Sequence, residues 1–177
     1  SSLKALLSSL EAYPTFNFMR RKVGALDALC LNHLSEISSI KNKINNKEAL
    51  ILLWDVCQIP DFSNSLSGVH FSLLEKTFEL LLANGKLDNE WIKSQLNRLN
   101  RFDGEIDTLL NRISNIRTWT FITNRQKWID ESEYWQNEAK TIEDKLSDEL
   151  HNRLTQRFVD KRIVILNKTL KEHSSLE

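Results

Sequence analysis

The chain has 177 residues, of which 41% are hydrophobic and 27% charged, with only four Gly and two Pro; such a composition favours long helices over many short strands and tight turns. Its 24 basic and 24 acidic residues cancel, so a bulk positive field is excluded and any nucleic-acid contact has to come from a local basic face. Cys30 and Cys57 stand far apart, with no second Cys or His at metal-ligand spacing, which argues against a disulfide scaffold and for two buried, reduced thiols in a reducing compartment.

Leu3, Leu6, Leu7 and Leu10 recur at helical spacing and stop before Pro14, which disfavours helical geometry in the residue preceding it. Val23, Leu26, Leu29, Cys30, Leu34 and Ile37 predict a second helix that fades into a polar Ser38–Asn46 loop. Residues 47–57 are so apolar around Leu50–Trp54 that they predict a buried central helix, ended by Pro60-Asp61. A turn around Ser63–Gly68 leads into a helix carrying Leu73, Leu74, Phe78, Leu81 and Leu82, closed by Asn84-Gly85.

Asp88 is the expected cap of a helix over 91–99, with Trp91, Ile92, Leu96 and Leu99 on one side. After a break at Arg101–Gly104, Ile106, Leu109, Leu110, Ile113, Ile116 and residues 119–122 predict a further helix. Asp130 followed by Glu133 resembles a capping box opening a long last helix. Along it Trp135, Ala139, Ile142, Leu146, Leu150 and Leu154 form one apolar stripe, while Arg153, Arg157 and Lys161 fall at i, i+4 and i+8 on another. The end, from Glu172 on, is expected to fray. The expected fold is all-α: one domain over 1–177, of six to eight helices with a long C-terminal helix.

No apolar run approaches the ~18 residues of a membrane span, so no membrane association is expected. The chain opens without a signal pattern, and its only methionine is Met19; it reads as a piece of a longer polypeptide. Standard catalytic arrangements are not found. Gly85-Lys86 lacks the earlier glycine of a phosphate loop, and His33, His70, His151 and His173 are scattered without a zinc-site partner. Acidic neighbours such as Glu143-Asp144 read as solvated helix faces. No cofactor, metal site or catalytic residue is therefore expected within this chain.

Three segments carry a positive signal: Leu53-Trp54-Asp55-Val56-Cys57-Gln58-Ile59-Pro60-Asp61-Phe62; Asp103-Gly104-Glu105-Ile106-Asp107-Thr108-Leu109, running on to Ile116-Arg117-Thr118-Trp119-Thr120; and Leu146-Ser147-Asp148-Glu149-Leu150-His151, running through Leu154-Thr155-Gln156-Arg157-Phe158-Val159-Asp160-Lys161-Arg162. In content and order they resemble the C-terminal region of suppressor-of-Var helicases of superfamily 2, the alphaproteobacterial members more than the mitochondrial RNA-degradation helicase. The resemblance covers about 47–173, whereas 1–46 matches loosely. Where the family often has Arg-Arg-Thr, this chain has Lys161-Arg162-Ile163, which keeps the charges and loses the hydroxyl.

The resemblance implies a parent with two RecA-like motor domains that bind ATP and Mg and move along RNA or DNA. Motor domains of the same polypeptide, a single strand and a nuclease would be its partners, in the bacterial cytoplasm or the mitochondrial matrix. Within this chain the ladder Arg153, Arg157 and Lys161, with Arg162 and Lys168, is the first candidate strand surface, because phosphates need closely spaced cations along one face. Asp148, Glu149 and Asp160 are positioned to neutralise it. Arg98, Arg101 and Arg117 form a second group, offset by Asp103, Glu105 and Asp107, and Trp119 is the candidate contact aromatic. Trp54 and Trp135 read as core. A scaffold that docks on motor domains or on a nuclease, without touching the strand, is the alternative.

Overall fold

The computed structural model describes residues 3–12, 25–63 and 68–174, and eight helices lie within them. They are α1 (Leu3–Glu11), α2 (Leu26–Glu36), α3 (Ser38–Lys41), α4 (Lys47–Cys57), α5 (Gly68–Asn84), α6 (Asn89–Leu99), α7 (Ile106–Thr123) and α8 (Ser132–Ser174). No strand occurs among the described residues, so the fold is all-α. Val23, Pro14 and most of the turn after Ser63, all used above, lie outside the described residues.

Local chemistry sets most of the boundaries. Asn46 caps α4 by accepting from the Ala49 N–H at 2.7 Å, and Asp88 caps α6 by accepting from the Glu90 N–H, each satisfying an orphan donor of the first turn. Gly85 stops α5 with φ +73, a backbone conformation that side chains with a Cβ disfavour. Three expectations need correcting. The Ser38–Asn46 stretch is not all loop, because Ile40 is fully buried and draws one turn, α3, onto the core. Helix α4 buries one face only: Leu50, Leu53, Val56 and Cys57 are inside, while Ile51 is 50% exposed. The capping box does not form, since α8 begins at Ser132 and the Asp130 carboxylate takes the Lys86 ammonium instead.

One hydrophobic core runs through the bundle, from Leu31 and Leu34 through Leu53, Phe78 and Ile92 to Ile116, Ile122 and Leu146. Helices α2, α4 and α5 pack together at one end, with α1 and α3 resting on α2. His33 stacks on Phe71 with ring centroids 3.9 Å apart, and Lys43 pairs with Glu79 at 2.6 Å. At the other end α7 and α8 form the most extensive helix pair, with α6 against both. The Trp128 carbonyl accepts from Leu87 N–H at 2.7 Å, and the Trp135 indole donates to Asn89 Oδ1 at 3.1 Å, which fastens the α7–α8 connection to the start of α6.

Helix α8 is 43 residues long and α7 is 18, so α8 outruns its partner. Its inward stripe, Trp135, Ala139, Ile142 and Leu146, is buried. Every described side chain from His151 to Thr169 is exposed, and at 1.5 Å per residue this bare arm is roughly 30 Å long. Leu154 was expected to continue the stripe; it is exposed because α7 has ended beneath it. The helix runs to Ser174, and 175–177 lie outside the described residues.

Candidate nucleic-acid interface

At 3.6 residues per turn the inward stripe of α8 continues past Leu146 as Leu150, Arg153, Arg157 and Val164. Arg153 and Arg157 thus sit where α8 clears the first turn of α7, around a recess shared with Glu105, Asp107 and Asp160. Arg153 donates through Nε to Glu149 Oε1 at 2.7 Å; that hydrogen bond, the charge of Glu149 and the charge of Glu105 hold its guanidinium more firmly protonated than usual. Gln156 donates to Asp160 at 2.9 Å. Within the ladder, Arg153 and Arg157 therefore face carboxylates from two helices.

Lys161, Arg162 and Lys168 lie further out on the arm and are exposed, with the Arg162 guanidinium 5.5 Å from the Phe158 ring centre. Over 151–169 the arm carries five cations, Arg153, Arg157, Lys161, Arg162 and Lys168, against the single carboxylate of Asp160. Arg153, Arg157, Lys161 and Lys168 fall along one side of the arm with Asp160 beside them, and Arg162 falls roughly half a turn away. On the same segment Leu154, Phe158, Val159, Ile163, Val164, Ile165 and Leu166 are also exposed, Phe158 at 59%. The exposed apolar side chains are spread around the arm and interleaved with its cations, with Val164 on the line of the inward stripe.

The second predicted group is split by the fold. Arg117 donates to Glu143 Oε1 at 2.9 Å, and Thr120 donates to Glu143 Oε2 at 3.4 Å, so Arg117 clasps α7 to α8. Arg101 forks onto Asp103, with Nη2 3.2 Å from Oδ2. The carboxyl of Asp103 is held below its usual range by its own backbone N–H and by Arg101 and Arg112. Arg112, which the sequence reading missed, ties the same break from the α7 side, donating to the carbonyl oxygens of Arg101 and Asp103. Its spacing from Asp103 crosses a turn, so no helical periodicity marks the pair.

Arg98 and Trp119, 21 positions apart, are brought together. Both line a groove of about 720 Å³ between α5, α6 and α7, with Leu73, Lys76, Trp91, Gln95, Leu99 and Asn115. Trp119 is only 4% exposed and meets Trp91 edge-on at 5.2 Å, so it offers the groove an edge and no open ring face for stacking. Lys76 and Gln95 join the site only through tertiary packing, and no sequence signal marks them.

The thiols of Cys30 and Cys57 are buried and free, and burial pushes both above the ordinary range, Cys30 to about 11. Among the described residues, no group of three or more His, Cys, Asp or Glu side chains is placed to hold a metal ion. No helix of the described residues is long and apolar enough to cross a membrane. The fold and site define an all-α domain from which the end of a long helix protrudes. Comparison with family models, with curated proteins and with solved structures gave no match.

Proposed function

We propose that this chain is the helical, non-catalytic C-terminal part of an ATP-dependent helicase, packing on the RecA-like motor of its own polypeptide and guiding a single strand of RNA or DNA. ATP and Mg belong to the motor in this reading, and the compartment is the bacterial cytoplasm, with the mitochondrial matrix as the alternative. The observation that carries it is the arm of α8. Its run of exposed apolar side chains is larger than an isolated surface residue explains and calls for a covering surface, while Arg153, Arg157, Lys161 and Lys168 along one side suit phosphates. Further support comes from the three helicase-like segments, which meet in space: Thr118 in the second donates to the Pro60 carbonyl in the first at 3.1 Å, and α7 packs along α8, which holds the third.

The test is co-expression with the motor domains of the parent polypeptide. Changing Phe158, Ile163 and Leu166 to Glu together removes apolar contacts without touching the core, so the fold persists while co-purification is lost. Retained co-purification refutes the docking role of the arm.

A second reading, docking on motor domains or a nuclease without strand contact, is favoured by the carboxylates around Arg153 and Arg157. Changing Lys161, Arg162 and Lys168 to Glu separates the two. Loss of single-strand binding supports guidance, and unchanged binding removes the arm as a strand surface.

A further inference from the structure

The groove between α5, α6 and α7 has properties that the arm lacks. Leu73, Trp91 and Leu99 give it an apolar floor, and no carboxylate lines it. Lys76 enters from α5 and Arg98 from α6. Neither forms an ion pair with a described residue, although Glu and Asp pair with cations elsewhere on this surface. Two unpaired cations across an aromatic-floored cleft mark a place for an anion that also carries a flat apolar body.

Two amides refine the chemistry. Gln95 makes no hydrogen bond with a described residue, so its side chain keeps both a donor and an acceptor for an occupant. Asn115 spends its amide N–H on Asn111 at 2.9 Å, which leaves its oxygen as an acceptor beside Trp91. The edge of a nucleobase needs mixed donors and acceptors of this kind, whereas a carboxylate side chain needs donors only. The volume of about 720 Å³ falls within the ~300–1,000 Å³ of small-molecule-sized sites, enough for a base and its phosphate and too little for a duplex.

We infer that this groove is a binding site for one nucleotide of a single-stranded nucleic acid, the base resting against Trp91 and its flanking phosphates held by Lys76 and Arg98. The inference rests on the strand-guiding reading and adds to it a second contact, separate from the arm. Backbone cations and an aromatic floor together give binding that is salt-sensitive and tolerant of sequence.

The test uses the whole 177-residue chain and a fluorescein-labelled oligouridine of about twelve nucleotides, read by anisotropy across a salt series. Lys76→Glu with Arg98→Glu should weaken binding at least tenfold. The neutral pair Lys76→Met with Arg98→Met should lower the slope of log affinity against log salt by about 1.4, from two lost phosphate contacts at about 0.7 each. Oligouridine should also quench tryptophan emission, and Trp91→Phe should remove most of the quench while the thermal transition shows the variant folded. Wild-type affinity in both Lys76/Arg98 pairs overturns the groove while leaving the arm's role standing. Failure of the wild-type chain to bind at low salt overturns the strand-guiding reading and the groove together. Binding of polyglutamate as tight as that of oligouridine overturns the nucleotide in favour of an acidic peptide.

Discussion

Thr118 Oγ1 donates a hydrogen bond to the Pro60 carbonyl oxygen at 3.1 Å, across 58 residues of sequence, and is the polar stitch between α7 and the end of α4. The same hydroxyl lies 3.4 Å from the Ser114 carbonyl, and Thr118 is buried. Replacing it with Val keeps the shape and leaves the Pro60 carbonyl without this donor, a cost of about 1–3 kcal/mol. Urea denaturation of Thr118→Val should show a lower midpoint at unchanged slope, and Thr118→Ser should recover most of the difference. A midpoint equal to wild type would show that the stitch adds nothing.

Much of the fold was legible because helix periodicity and punctuation agree locally. Asn46, Asp88 and Gly85 mark three boundaries, and the 47–57 helix was placed to the residue. What misled was information that is not local. The apolar run Leu50–Trp54 does not reveal that, among the described helices, α2 and α5 are the main ones packed on α4, so Ile51 ends outside. Nor does the stripe from Trp135 to Leu154 reveal where α7 stops, and that alone decides that Leu150 packs while Leu154 does not. For the candidate site, the ladder spacing was legible and its carboxylate neighbours Glu105 and Asp107 were not. The pairing of Arg98 with Trp119 depends on how α6 crosses α7, which no spacing in the chain encodes.

The two thiols should be nearly inert in the folded protein. Burial comes first among the causes that raise them, followed by the charges of Asp61 and Asp27 at Cys30. With its pKa at about 11, Cys30 is almost wholly protonated near neutral pH, and the thiolate is the reactive species. Reaction with a chromogenic disulfide reagent should therefore be slow in native buffer and release two equivalents promptly in urea. Fast modification without denaturant would contradict the buried environment.

Acid should weaken the protein through His70. Burial lowers its pKa, ahead of the opposing influences of Asp61 and of a hydrogen bond with the Ile59 backbone, and its Nε2 has no hydrogen-bond partner among the described residues. A histidine held neutral in the fold and free to protonate when unfolded, near its ordinary value of about 6.5, contributes stability that is complete above that value. The contribution is lost as pH falls toward the lowered native pKa. The melting temperature should drop as the pH falls below about 6.5, and the drop should be shallower in His70→Gln. Identical pH profiles would assign the acid sensitivity to other groups.

Gly85 and Gly104 both have positive φ, +73 and +111, yet they should tolerate alanine differently. A Cβ at Gly85 meets nothing within 4 Å, so Gly85→Ala should cost only the left-handed backbone strain, about 1–2 kcal/mol. At Gly104 a Cβ would lie 3.0 Å from Thr108 Cγ2, and Thr108, in the first turn of α7, is β-branched and stiff about χ1. Gly104→Ala should thus fall nearer the upper end of the ~1–3 kcal/mol range for strained backbone, and the additional change Thr108→Ala should restore part of the loss by removing the methyl. Because Arg101, Asp103 and Arg112 are linked across this same break, the loosened entry of α7 should also show as faster amide exchange at the start of that helix. Equal melting temperatures for the two alanine variants would mean that Thr108 yields freely.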